Sequence, residues 1–349
     1  AVGTNALDAN TTASYNTAVG YDALGANTDG HSNVAVGTSA LLSNTEGDYN
    51  IAVGRNSLDA NTDGNYNTAV GYNTLSANIS TDNNTAFGYN ALAVNTTGGT
   101  NVAIGSRALD ANTEGSSNVA VGYSALSANT EGDQNTAVGT NAMIVNISGG
   151  YNVAIGALSL DANTTASYNT AVGYGTLTTN TTGISNVAVG RNSLLLNTVG
   201  YSNVAVGVSS LGANVGGIKN TALGASALLL NTSGNTNVAV GYDVLKANTE
   251  GTNNVAMGYN SLAVNTTGDS NVAIGALALD ANTTASDNTA VGYSALGANT
   301  DGFNNTAVGR DAGGAVTTGD NNSFLGHDAG ITGSPGGAIT TADNQMCLG

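Results

Sequence analysis

Short apolar triplets alternate with polar turns at a fixed interval along the whole chain. Thr17-Ala18-Val19, Val102-Ala103-Ile104 and Val272-Ala273-Ile274 each lie between an Asn and a Gly. The glycine recurs every 17 residues, from Gly3, Gly20, Gly37, Gly54 and Gly71 to Gly326, twenty times in register. Four residues after it stands Leu (Leu7, Leu24, Leu41), with Met143 as a mild exchange, and seven after it stands Asn (Asn10, Asn27, Asn44). A second Asn, such as Asn16 or Asn33, precedes each triplet. Seventeen residues cannot hold two packed helices, since helical solenoid repeats need about 33 or more. Asn, Thr, Val and Gly are also poor helix formers. Apolar β-branched triplets bounded by Gly and Asn read as strands. The pattern predicts an all-β parallel solenoid of 17-residue coils. Each coil comprises a strand, a glycine corner, a second apolar segment that also reads as a strand, an Asn corner and a polar turn.

Stacking explains the residue types. Coils about 4.8 Å apart place equivalent side chains in ladders along one axis. The expected ladders run through Gly20, Gly37, Gly54 and Gly71, through Asn16 and Asn33, through Asn27 and Asn44, and through Leu24 and Leu41. Aligned Asn amides can bond to the coil above and below, and glycine permits a positive φ or a close backbone approach. Leu and Val are expected to fill a narrow core, with Ala leaving room for neighbouring backbone. Thr17 and Val19 share one strand face, and Ala18 and Gly20 share the other. Neither face is charged, so one is expected to meet the coil's own core and the other a partner chain, because a thin coil buries little by itself. Residues 1–309 follow the rule. Residues 310–349 break it: Gly313 takes the Leu place, Val316 the Asn place, and the last interval, with Pro335 in its loop, stretches to 23. Atypical end repeats cap a solenoid or hand over to another element.

Composition removes several function classes. The net charge is −17, with six Lys and Arg in 349 residues, so a phosphate backbone would be repelled and no nucleic-acid partner is expected. No apolar run approaches the roughly 20 residues of a spanning helix, and no membrane insertion is expected of this segment. Cys347 stands alone, which leaves no internal disulfide framework. The chain begins in mid-repeat without Met and reads as a piece of a longer or processed protein.

Asn101-Val102-Ala103-Ile104-Gly105 resembles the head repeat of trimeric autotransporter adhesins, the YadA-like heads. The longer unit Asn67-Thr68-Ala69-Val70-Gly71-Tyr72-Asn73-Thr74-Leu75-Ser76-Ala77-Asn78 is still more similar to repeats in bacteriophage tail fibres. The segments Asn322–Gly330 and Asn344–Gly349 resemble the stretch that such fibres carry before a self-cleaving chaperone domain. The resemblance implies a left-handed β-roll, an intertwined or side-by-side homotrimer, end-to-end fibre neighbours, and an extracellular or virion appendage that forms a rigid shaft and attaches to a host. A bacterial surface adhesin or extracellular filament subunit is the nearest alternative. An ice-binding solenoid is the alternative from another class, although Thr17, Val34 and Ile51 mix Thr with aliphatic residues in the place where ice binding needs a flat Thr face.

Catalytic chemistry finds no foothold in the pattern. His31 and His327 lie at opposite ends of the array, and no nucleophile–base set can be assembled. No enzyme activity, catalytic residue, cofactor or dedicated metal site is expected. The carboxylates Asp29, Glu46, Asp63, Glu114 and Glu131 recur in the turn, and Asp8, Asp59, Asp110 and Asp161 five residues after the glycine. They read as a solvated acidic rim, offering oxygen donors for weak Ca²⁺ binding at most. Eight tyrosines follow the corner glycine directly: Tyr21, Tyr72, Tyr89, Tyr123, Tyr174, Tyr242, Tyr259 and Tyr293. They either shield coil edges or offer aromatic contact to a host glycan or protein. The sequons at Asn95, Asn163 and Asn265 fall in the expected inner ladder, where a glycan has no room.

Overall fold

The computed structural model describes residues 1–332 and 337–349, so Pro335 lies outside the described residues. The chain divides into two compact units, Ala1–Tyr174 and Gly175–Gly349. Each unit is a stack of coils with one three-residue strand per coil. In the first unit the strands run from β1 (Thr17–Val19) to β10 (Thr170–Val172). In the second they run from β11 (Val187–Val189) through β18 (Thr306–Val308) and β19 (Ser323–Leu325) to β20 (Met346–Leu348). Within each unit consecutive strands pair in parallel without slip. Thr17, Ala18 and Val19 lie beside Val34, Ala35 and Val36, and Val187, Ala188 and Val189 lie beside Val204, Ala205 and Val206. No helix occurs among the described residues. The fold is an all-β parallel solenoid with 17-residue coils.

Alternation along each strand sends its middle residue inward. Ala18, Ala35 and Ala52 are buried, as are Ala23 and Leu24 on the facing segment of the coil. The core is therefore Leu packed on Ala. The expectation that Val also fills it is corrected for the strands, where Val19, Ile104 and Ile155 point outward and are about 40% exposed; off the strands, Val244 and Val316 are buried. A three-residue strand has one inward position, and Ala occupies it because the opposing Leu takes the space.

A second correction concerns the apolar segment after the corner. It is a chain of turns rather than a strand. Its second and fourth residues are left-handed, as in Asp22 (φ 54) and Leu24 (φ 51). Alternating conformations still let the segment bond between coils: Leu24 N–H donates to Ala40 O at 3.0 Å, and Ala26 N–H to Leu42 O at 3.1 Å. Left-handed backbone costs Leu about 1–2 kcal/mol. Burying its side chain returns roughly 1.5–3 kcal/mol, and the hydrogen bond adds about 1 kcal/mol, so the conformation holds.

The corner glycine is fixed by geometry twice over. Gly122 has φ +140, and a Cβ there would stand 2.5 Å from the carbonyl oxygen of Gly139 in the next coil. No other residue both reaches that φ and leaves that space empty.

Candidate functional surfaces

Two asparagine columns line the polar end of each coil. Asn44 Nδ2 donates to Asn27 Oδ1 in the preceding coil (2.8 Å) and to Gly47 O in its own turn (3.0 Å). Asn33 Nδ2 donates to the same Gly47 O at 2.7 Å, while Asn33 Oδ1 accepts the Asn50 N–H at 2.8 Å. Asn16 repeats that arrangement with Gly30 O and the Asn33 N–H. The two columns thus meet at the turn carbonyl. These asparagines from Asn27 onward are buried, including Asn95, Asn163 and Asn265 of the sequons. The amides are spent on structure, and each lost partner would leave a buried polar group costing about 1–3 kcal/mol. The turn adds its own knot: the N–H groups of Thr28, Asp29 and Gly30 all converge on Thr45 O, at 3.2, 2.9 and 3.1 Å.

A third column escapes the sequence reading. Wherever the residue two before the strand-leading Asn is Asp, Asn, Ser or His, it can accept a backbone N–H from the preceding coil. Asp48 Oδ1 takes the His31 N–H (2.6 Å), Asp82 the Asn65 N–H (2.6 Å), and Asp133 the Ser116 N–H (2.7 Å). Ser116, Ser167 and Asn235 do the same with neutral oxygens. A share of the acidic residues is therefore structural. The common signal was an oxygen or nitrogen acceptor at that place, shared by residues of different charge and shape.

The remaining carboxylates fall into two groups. Asp29, Glu46, Asp63, Glu114 and Glu131 are exposed at the turn tip. Asp8 is exposed too, whereas Asp59, Asp110 and Asp161 are partly covered. Burial raises the pKa of these last three above the ordinary carboxylate value, with backbone hydrogen bonds opposing and, for Asp110, the Arg107 charge as well. Asp59 Oδ1 and Asp161 Oδ1 are buried without a hydrogen-bond partner.

The eight tyrosines after the corner are between 41% and 57% exposed. Tyr72 stacks on Tyr89 (5.6 Å between ring centres) and Tyr242 on Tyr259 (5.9 Å). Tyr49 with Tyr66 and Tyr151 with Tyr168 stack likewise before the strand, at 5.2 and 5.1 Å. Arg310 lies over Tyr293, 5.7 Å from its centre. Stacking covers the inner ring faces, so each pair offers solvent its edges and two outer faces. Tyr21, Tyr123 and Tyr174 are exposed at the same column.

His31 Nδ1 accepts the Ser14 N–H at 2.9 Å, a structural role in the acceptor column. His327 lies 3.0 Å from Asp328. With Asp311 these two form a His/Asp cluster whose donor atoms lie within 4.8 Å of one another. His327 and Asp328 are adjacent in sequence, and stacking of neighbouring coils brings Asp311 beside them. Imidazole and carboxylate donors could hold a divalent cation, but Arg310 already bonds Asp311 at 3.1 Å and His327 is exposed. Cys347 is a buried free thiol at the centre of β20. Among the described residues no helix is long and apolar enough to cross a membrane.

The outward strand face recurs along both units. It carries Thr, Val or Ile at the first strand position (Ser323 and Met346 in the last two strands) and Val, Ile, Leu, Met or Phe at the third, without a charge. At the C-terminal end, Val308, Leu325, Met346 and Leu348 line an apolar groove in this face. No family model matches the chain, and no curated protein matches it significantly.

Proposed function

We propose that the chain is a structural segment of an extracellular or virion appendage, most simply a phage tail-fibre shaft, which self-associates as a homotrimer through its strand faces. The single observation that carries this reading is the uncharged, exposed face that recurs on the strands of both units. Water-exposed aliphatic ladders of that regularity mark an association surface. Buried polar groups serve coil-to-coil bonding, which suits a scaffold. The half-exposed tyrosines suit contact with a host glycan or protein, and end-to-end neighbours would continue the shaft. The ice-binding alternative gains nothing from this face, where Thr17, Val34, Ile51 and Thr68 share one column. Light scattering on the segment tests the proposal: a mass about three times 34.1 kDa is expected, and a mass of 34.1 kDa at all concentrations would refute it.

A further inference from the structure

Acidic residues number 23 in 349, about one in fifteen, yet none occurs from Ala162 to Tyr242, a run of 81 residues. Elsewhere no acid-free run exceeds 27 residues. Within the second unit, Gly175–Tyr242 carries Arg191 and Lys219 alone, a charge of +2, so the rest of the chain holds −19 of the net −17. Neutral residues take the places of the acids, and several of them are apolar. At the turn tip, where Asp29 and Glu46 stand elsewhere, this region has Val199. In the acceptor column, where Asp48, Asp82 and Asp133 take a neighbour's N–H, three of its four coils have Ile184, Tyr201 and Ile218, and the fourth keeps Asn235 as a neutral acceptor. Leu196 and Leu230 replace the Ala that is usual just before the first Asn column. Ile184, Leu196, Val199, Tyr201, Val215 and Leu230 are all exposed, between 40% and 54%.

These six side chains lie outside the strands, so an oligomer built on the strand face leaves them open. Exposed apolar residues gathered in one zone mark a contact site. Two cations are too few to grip a polyanion, whose binding scales with the number of neutralised charges. A second copy of this chain fits better. Two such molecules repel along their acidic coils, and like-charge juxtaposition suppresses wrong registers. The acid-free belt is the zone where repulsion between acids is absent, leaving only Arg191 and Lys219 on each copy, and where exposed apolar residues off the strands are most frequent.

We propose that the belt within Gly175–Tyr242 docks side by side against the same belt of a neighbouring copy, with the flanking acidic coils fixing the register. The proposal takes the shaft reading as its setting but stands on a different surface, so the two can fail separately. Sedimentation velocity of the full chain between about 0.02 and 0.5 M NaCl provides the test, because the screening length falls from roughly 20 Å to about 4 Å over that range. The expected result is a doubling of the basic particle that tightens at least about tenfold as salt screens the acidic coils. The double variant Leu196→Asp/Leu230→Asp should keep its circular dichroism and its basic particle yet lose the doubling. Val94→Asp, the same change at the equivalent exposed place outside the belt, should retain it. Doubling that weakens with salt would mean an attraction between Arg191 or Lys219 and acidic groups, and would overturn the proposal. So would doubling that survives the double variant, or no doubling at any salt. A chain that is monomeric in dilute solution and pairs at high salt would refute the trimer and keep the belt.

Discussion

The regular coils of the second unit and its last two coils fill the same cross-section in different ways. In a regular coil an inward Ala of the strand faces a Leu, as Ala290 and Leu296 do, both buried. In β19 the inward residue is Phe324, and the Leu place holds Gly313 and Gly330. A Cβ on Gly313 would stand 2.8 Å from the Phe324 ring, and one on Gly330 would also run into it. Volume moved from one wall of the coil to the other. The polar end changed without such compensation: Val316 replaces the ladder Asn, and Asn299 Oδ1 is left buried with no partner. The difference teaches that packing volume can be redistributed freely, whereas an amide ladder stops where its next member is missing. The corner glycine is kept in both regions.

Four measurements sharpen or break this contrast. The largest effect is expected at the corner, equally in both regions: Gly122→Ala and Gly309→Ala should each cost more than about 3 kcal/mol in denaturant unfolding, from a forbidden φ together with a backbone clash. The turn glycine Gly132 separates the two causes. A Cβ there would also stand 2.5 Å from the next coil's Gly149 O, but its φ is not left-handed and Ala166 and Ala285 occupy the equivalent place, so Gly132→Ala should cost less. Next, Phe324→Ala should cost about 3–5 kcal/mol by opening a cavity. Adding Gly313→Leu should restore a good part of that loss, although Gly313→Leu alone destabilises. A double-mutant cycle with no coupling would show that the two walls do not share one volume.

Third, Val316→Asn should stabilise by about 1 kcal/mol, since the new amide can donate to Asn299 Oδ1. A loss in thermal unfolding would mean that the ladder ends at Asn299 for a reason beyond the missing donor. The smallest effect concerns Asp280, a regular-coil carboxylate beside the gap lined by Gly297, Gly314 and Ile331. Burial raises its pKa, with a backbone hydrogen bond opposing. A raised acid pKa favours the protonated fold, so this group's contribution falls as pH rises from the ordinary carboxylate value through the raised one. Asp280→Asn should therefore gain a few tenths of a kcal/mol at neutral pH, the screened value for a group this exposed. The gain should vanish in acid. A gain that is independent of pH would assign the effect to something other than charge.

Much of this fold was legible because the period is strict. The glycine column, the strand triplets and both Asn columns follow from residues spaced 17 apart. What stayed hidden is conformational. Leu24 and its equivalents belong to a residue type that rarely takes left-handed backbone, so an apolar run containing them reads as a strand. Val was expected in the core, and the face that Val19 shares with Thr17 stayed open, because hydrophobicity alone does not say which face of a three-residue strand the opposing Leu covers. The roles of Asp48, Asp82 and Asp133 had no signature in the sequence, since their bond is to a backbone N–H in another coil. The Asp311, His327 and Asp328 cluster has members 17 or fewer residues apart in sequence, yet the coil register alone brings them together.

Strand contacts within each unit run only between neighbouring coils, which has a mechanical meaning. Load applied to the ends of a unit meets a series of nearly identical latches, each made of one strand pairing, two amide bonds and a turn carbonyl. Tension would therefore unspool the molecule a coil at a time, each release paying out 17 residues, roughly 55 Å of extended chain. A stack of this kind yields in many small steps and absorbs work at every one of them.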